Sequence, residues 1–184
     1  MMKERKKLQR RGIMLKRFIR NEKGLTLIEL LAVIVILGII AAIAIPSIGG
    51  LIDNSKKDAH VANAQQMINA AKIAVTADKD LIPANEKYTV LPLAYLESKG
   101  YLETVKDPDG NTTSYKKAPS GYDNKPLTSE GDPKEAYSYV LIKNTDTKLI
   151  YFVKLINNSR GVFGEDGVAV EEKDLKRDAV NEIE

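Results

Sequence analysis

The chain has no cysteine and only one histidine, His60. Without thiols there is no disulfide framework, no thiol nucleophile and no cysteine metal site. An exported domain of this composition must rest on its own core and on packing with neighbours. A single histidine excludes His-rich metal sites and makes a Ser-His-Asp triad improbable. There is also no phosphate-binding loop, no nucleophile paired with a base and no metal-ligand spacing, so an enzyme is not expected.

Acidic residues are scarce at one end. Residues 1–24 hold ten Lys and Arg against only Glu4 and Glu22, a net charge of +8, and the remainder nets −5. The overall +3 therefore hides a basic leader ahead of a mildly acidic body.

The leader gives way to an apolar run. Leu25 to Ile45 covers 21 residues interrupted only by Thr26, Glu29 and Gly38. At ~1.5 Å per residue this is roughly 31 Å of helix, about one hydrocarbon core. The positive cluster precedes the run, so the N-terminus stays cytoplasmic and the bulk faces outward. A secretory signal peptide has the same order of parts, with Ala41-Ala-Ile-Ala44 as a small-residue cleavage site. That alternative predicts a shorter run and a mature terminus near Ile45. A plain single-span anchor explains the length but not Glu29.

Glu29 separates these readings. A carboxylate at membrane depth costs about 2.5–3.5 kcal/mol on insertion scales, less near the interface, and such groups face a partner rather than lipid. A cut between Gly24 and Leu25 would create an α-amino group about one helical turn from Glu29. The pair could form within one chain or between staggered chains, where it would register subunits during assembly.

These residues resemble the class III signal of type IV prepilins and pseudopilins. Gly24, Leu25, Thr26, Leu27, Ile28 and Glu29 fill the pattern of a leader-ending Gly, an apolar first residue, Thr, two apolar residues and Glu. Gly38 and Pro46 sit where family members weaken the helix, and the likeness covers about residues 15–55. Leu25 departs from the commonest first residue, Phe. The leader is long, which leaves Met1, Met2 or Met14 as the start; Met14 gives a more typical length. The resemblance implies cleavage after Gly24 by a prepilin peptidase and N-methylation of Leu25. It implies incorporation dependent on Glu29 with Thr26 beside it, and extrusion by an assembly ATPase and a platform membrane protein. It further implies melting of the helix between Gly38 and Pro46 as subunits pack; by composition alone, mere tolerance of Gly and Pro in a membrane helix is an equal reading.

Beyond Pro46, Val61, Ala64, Ile68, Ala71 and Val75 recur at helical spacing with Met67 and Ala74 beside them. This predicts an amphipathic continuation to about residue 82. A short helix is expected over 91–100, with Pro92 in its first turn and Gly100 as its cap. Residues 106–133 read as a long, turn-rich surface connection. Residues 136–143 and 148–156 read as two strands joined by a turn at 144–147, and residues 161–164 and 168–170 as a third strand or a small hairpin. The tail from Glu171 reads as frayed, with a short helix as the lesser reading. His60 is expected to be solvated or lightly packed. Tyr137, Tyr139 and Tyr151 read as sheet residues.

The expected fold is α+β and pilin-like, a long N-terminal helix packed on a small antiparallel sheet. Its parts are a cleaved leader (1–24), an assembly helix (25–46), an amphipathic half (47–82) and a β-rich head (83–184). No cofactor is expected. Metal ligation is not expected either; Asp107 and Asp109 in Asp107-Pro-Asp-Gly-Asn111 are the candidates for calcium, against the ordinary reading of a turn. Residues 164–167 carry the same two readings. Lysines of the head, Lys116 and Lys117 among them, offer a local DNA-binding patch, but residues 83–184 hold 14 basic against 18 acidic groups, so broad nucleic-acid attraction is not expected.

The function this implies is that of a filament subunit, stored in the plasma membrane and then assembled at the cell surface with copies of itself and minor pilins. Adhesion, motility and DNA uptake are the roles left open. A pseudopilin of a type II secretion or competence system is the first alternative. A membrane-anchored binding protein that never polymerises is the second.

Overall fold

The computed structural model describes residues 26–110, 114–119, 127–129 and 131–183. The chain divides after Ile48 into two compact units.

Helix α1 spans Leu27–Ala77, 51 residues. Up to Ile52 its large apolar side chains stand exposed, Leu27 at 85 % and Ile43 at 73 %. This stretch is long and apolar enough to cross a membrane. The helix runs unbroken through Gly38 and Pro46, so the unwinding implied by the resemblance is not adopted in the single chain. Proline removes one donor, which leaves the carbonyl of Ala42 short of its usual partner. One lost bond is a small part of a helix this long.

In the second unit, α1 buries His60, Ala64, Met67, Ile68, Ala70, Ala71, Ala74 and Val75. This is the predicted stripe, widened by His60 and Ala70. A 3₁₀ turn at Lys79–Leu81 follows, capped by Asp78, whose side chain accepts from the Asp80 N–H at 3.0 Å. The α-helix therefore stops five residues earlier than expected.

The head is an antiparallel sheet. Its strands are β1 (Tyr88–Pro92), β2 (Leu127–Ser129), β3 (Tyr139–Thr145), β4 (Lys148–Ile156), β5 (Arg160–Val162), β6 (Val170–Glu171) and β7 (Val180–Glu182). The order is β2-β1-β3-β4-β5-β7, with β6 pairing β4. The β3–β4 hairpin keeps the expected turn, in the register Ile142↔Tyr151 and Thr145↔Lys148. One face carries Leu91, Val140, Ile142, Val153 and Leu155 into the main core with the α1 stripe. The other face carries Val90, Tyr139 and Leu141 into a second cluster with Ala118, Tyr137 and Ala169. Tyr137 and Tyr139 meet edge to face with centroids 5.9 Å apart.

Four expectations need correction. The short helix α2 is Leu93–Ser98, and Leu91 and Pro92 belong to β1. Proline is tolerated there because it is the strand's last residue; Gly100, with φ of +75°, follows the helix end. The 106–133 segment is not only a surface connection: Tyr115 and Ala118 are buried, and β2 pairs β1. Residues 160–162 and 170–171 form strands that pair β4 rather than each other. Finally, the tail is ordered. β7 pairs β5 in the register Arg160↔Glu182 and Val162↔Val180, and the Ile183 N–H reaches the Ser159 carbonyl at 2.8 Å. Arg177 grips Asp58 of α1 through two bonds, and the Lys72 ammonium lies 2.5 Å from Glu172.

Gly161 fixes how closely β5 approaches β4. A Cβ there would stand 2.3 Å from the Leu155 carbonyl oxygen and 2.7 Å from the Ile156 Cα. Backbone cannot yield as a side-chain tip can. Gly161→Ala is expected to destabilise the head by about 3 kcal/mol, seen as a lower urea midpoint in a denaturation monitored by tyrosine fluorescence.

Candidate functional site

Thr26 immediately precedes α1, and Glu29 is the helix's third residue. The Glu29 Oε2 accepts from the Thr26 backbone N–H at 2.8 Å and from its hydroxyl at 2.7 Å. The Glu29 N–H points back to the Thr26 Oγ1 at 3.3 Å. This is a capping box, in which threonine and glutamate satisfy each other's free backbone donors. A helix start has four N–H groups with no partner inside the helix, and at a membrane surface such groups are expensive. The carboxylate also lies at the positive end of the helix dipole. Glu29 therefore has a local task besides any pairing between chains. The Thr-x-x-Glu spacing is itself a helix-start signal in the sequence, separate from the charge that suggests pairing. Gly24 and Leu25 lie outside the described residues.

Residues 19–45 match the family described as the prokaryotic N-terminal methylation motif. The chain carries the class III signal of type IV pilins and pseudopilins. No curated protein and no solved structure matches the chain. That motif on a long apolar N-terminal helix supports membrane anchoring, and in general it implies a prepilin peptidase and assembly with pilin subunits. The α+β head beside a long apolar helix is the pilin-like arrangement.

The head holds a second constellation. Asp107 and Asp109 meet His60, their ligand-type atoms within 4.8 Å of one another. Each of the three groups already has hydrogen-bond partners. Asp109 Oδ2 accepts from His60 Nε2 at 3.0 Å, Asn157 Nδ2 at 3.0 Å and Arg160 Nε at 2.8 Å. Its Oδ1 takes the Arg160 Nη2. Asp107 accepts from Asn157 Nδ2 at 2.9 Å and from the Asp109 N–H at 3.0 Å. The remaining guanidinium nitrogen, Nη1, reaches Asp53 of α1 at 2.6 Å. The guanidinium thus occupies the Asp109 carboxylate, one of the two that a calcium ion would need. Asn111 lies outside the described residues.

His60 is fully buried, which corrects the expectation of a solvated side chain. Its tautomer follows from its neighbours. Asn63 Nδ2 donates to the Tyr115 hydroxyl at 2.9 Å, and that hydroxyl donates to His60 Nδ1 at 2.9 Å, which leaves Nε2 as the donor to Asp109. Burial, with the Asp107 and Asp109 carboxylates nearby, pushes the Tyr115 phenol well above its ordinary value, so it remains a donor. The Arg160 guanidinium holds the Asp109 carboxyl far below the usual carboxylate range, and Asp109 in turn raises Arg160. This cluster ties the 107–110 turn, α1 and the β4–β5 connection together.

Proposed function

We propose that this chain is a structural subunit of a type IV pilus-like filament, not an enzyme. On this reading a peptidase cuts after Gly24, the Leu25 amine is methylated, and the chain waits in the plasma membrane. An assembly ATPase and a platform protein then move it into a helical polymer at the cell surface. The observation that carries this reading is the apolar first half of α1. Its large side chains are exposed from Leu27 to Ile52, yet Glu29 stands within that stretch. Lipid covers such a surface before assembly, and the equivalent helices of other copies cover it afterwards. The carboxylate of one subunit then meets the new α-amino group of another.

Adhesion or motility and DNA uptake are the roles such a filament would serve. The mass of the surface-exposed form tests it. A chain beginning at methylated Leu25 and pelleting with sheared filaments is the expected result. An intact basic leader on surface material overturns it, and a terminus near Ile45 turns the apolar run into a secretion signal.

A further inference from the structure

Lys154 is the one lysine of the head that the fold hides among the described residues. It lies toward the C-terminal end of β4 with 7 % of its surface exposed. No carboxylate among the described residues forms an ion pair or hydrogen bond with its ammonium. The Asp132 carboxylate directs its hydrogen bonds elsewhere: it accepts from the Tyr139 hydroxyl, from the Ala169 N–H at 2.5 Å and from the Lys134 N–H at 2.9 Å. A buried ammonium without a partner is costly to keep. Its burial lowers its affinity for the proton; the Asp132 and Glu135 charges offset part of this at longer range, while Lys116 and Lys134 add to it.

The ammonium lies beside a cavity of about 550 Å³, which Lys116 and Lys134 also line. Neither of these lysines has an ion-pair partner among the described residues. The cavity's apolar wall is Ile156 and Phe163. Across from Lys154 is the Glu165–Gly167 turn, where a Cβ on Gly167 would come 3.7 Å from the ammonium. Gly167 has φ of +73°, so this wall stays bare backbone. Glu165, Asp166 and Glu182 are on the cavity's margin, but they are exposed and solvated, and water and salt screen them. They act against a polyanion. They do not neutralise the buried charge.

We propose that this cavity binds a small organic anion, with one carboxylate or phosphate between Lys116, Lys134 and Lys154 and an apolar body against Ile156 and Phe163. Volume and chemistry agree, because ligand cavities are largely apolar with a few convergent polar groups. The acidic margin excludes nucleic acid, whose next phosphates would run over those carboxylates. This binding site is independent of filament assembly, and an unassembled subunit would show it.

Calorimetric titration of the full chain in a non-ionic detergent tests the proposal, with phenyl phosphate and benzoate as probes. Both should bind with Kd no weaker than ~1 mM. Benzyl alcohol, which lacks the charge, should not bind, and inorganic phosphate, which lacks the apolar body, should bind more weakly. Lys154→Met, which keeps the side chain's bulk, should weaken phenyl phosphate about tenfold, and Lys154→Arg should retain binding. If Lys154→Met unfolds, the double variant Lys116→Met/Lys134→Met serves as the reading, with the same tenfold loss expected. Failure of both anions to bind the native chain overturns the proposal, as does unchanged affinity in a folded variant lacking these charges.

Discussion

Glu29→Ala is expected to leave the chain in the membrane and remove it from filaments. The substitution eliminates an insertion cost of up to roughly 3 kcal/mol, so membrane fractionation should recover at least as much chain as in wild type. Sheared filaments should contain essentially none. Two tasks fall together in that variant, because the same carboxylate caps α1 and is proposed to pair with the Leu25 amine. Glu29→Gln separates them. Glutamine at this position still closes a capping box with Thr26, but it carries no charge. If charge pairing drives incorporation, Glu29→Gln fails as Glu29→Ala does. If Glu29→Gln assembles normally while Glu29→Ala does not, the helix cap is the working part and the pairing proposal falls. Thr26→Ala completes the set: it opens the box and keeps the charge, so incorporation should be weakened rather than lost.

Asp109→Asn is expected to produce the largest loss of stability in the head. The asparagine keeps the shape and withdraws the charge that holds Arg160, whose side chain is only 9 % exposed. Removing one member of a buried ion pair costs about 3 kcal/mol or more, and here the guanidinium would keep only Asp53, a half-exposed partner on one nitrogen. For a unit of this size that corresponds to a fall in Tm of about 10 °C, measurable by far-ultraviolet circular dichroism. Breaking the exposed Arg177–Asp58 pair with Asp58→Asn should barely move Tm. The same cluster sets an acid limit. Asp109 is held below the usual carboxylate range by Arg160, so the unfolded chain takes up a proton at higher pH than the folded one. The stabilisation is complete above about pH 5 and declines progressively as the medium is acidified below pH 4. In Asp109→Asn this acid-dependent component should shrink. A variant with the wild-type acid profile would place the sensitivity on other carboxylates.

The sequence showed the parts of this protein that repeat or that combine several signals. The apolar run, the basic leader and Glu29 point the same way. The stripe from Val61 to Val75 has helical spacing over four turns, and the β3–β4 hairpin alternates around Asn144-Thr-Asp-Thr147. Less legible were elements whose pattern depends on distant chain. β1 is covered on both faces, Leu91 by the main core and Val90 by the second cluster, so its residues do not alternate and resemble a helix start. β7 is three residues long with two exposed, and only its pairing with Arg160–Val162 makes it a strand. His60 looked solvated because its neighbours in sequence are charged. Its actual partners, Asp109 and Tyr115, come from about 50 residues away. Lys154 gave no local signal at all, since its burial follows from the packing of β4 against residues near 132 and 167.

The pairing of β7 with β5 has a bearing on how the head matures. A ribosome releases residues 160–162 before residues 180–182, so for an interval β5 presents one bare backbone edge. Such an edge invites annealing to strands of other nascent chains. The short acidic strip that later closes it, pinned through Arg177 and Glu172 to a helix made much earlier, works as a late fastener, and shortening it should be felt first as misassociation during synthesis.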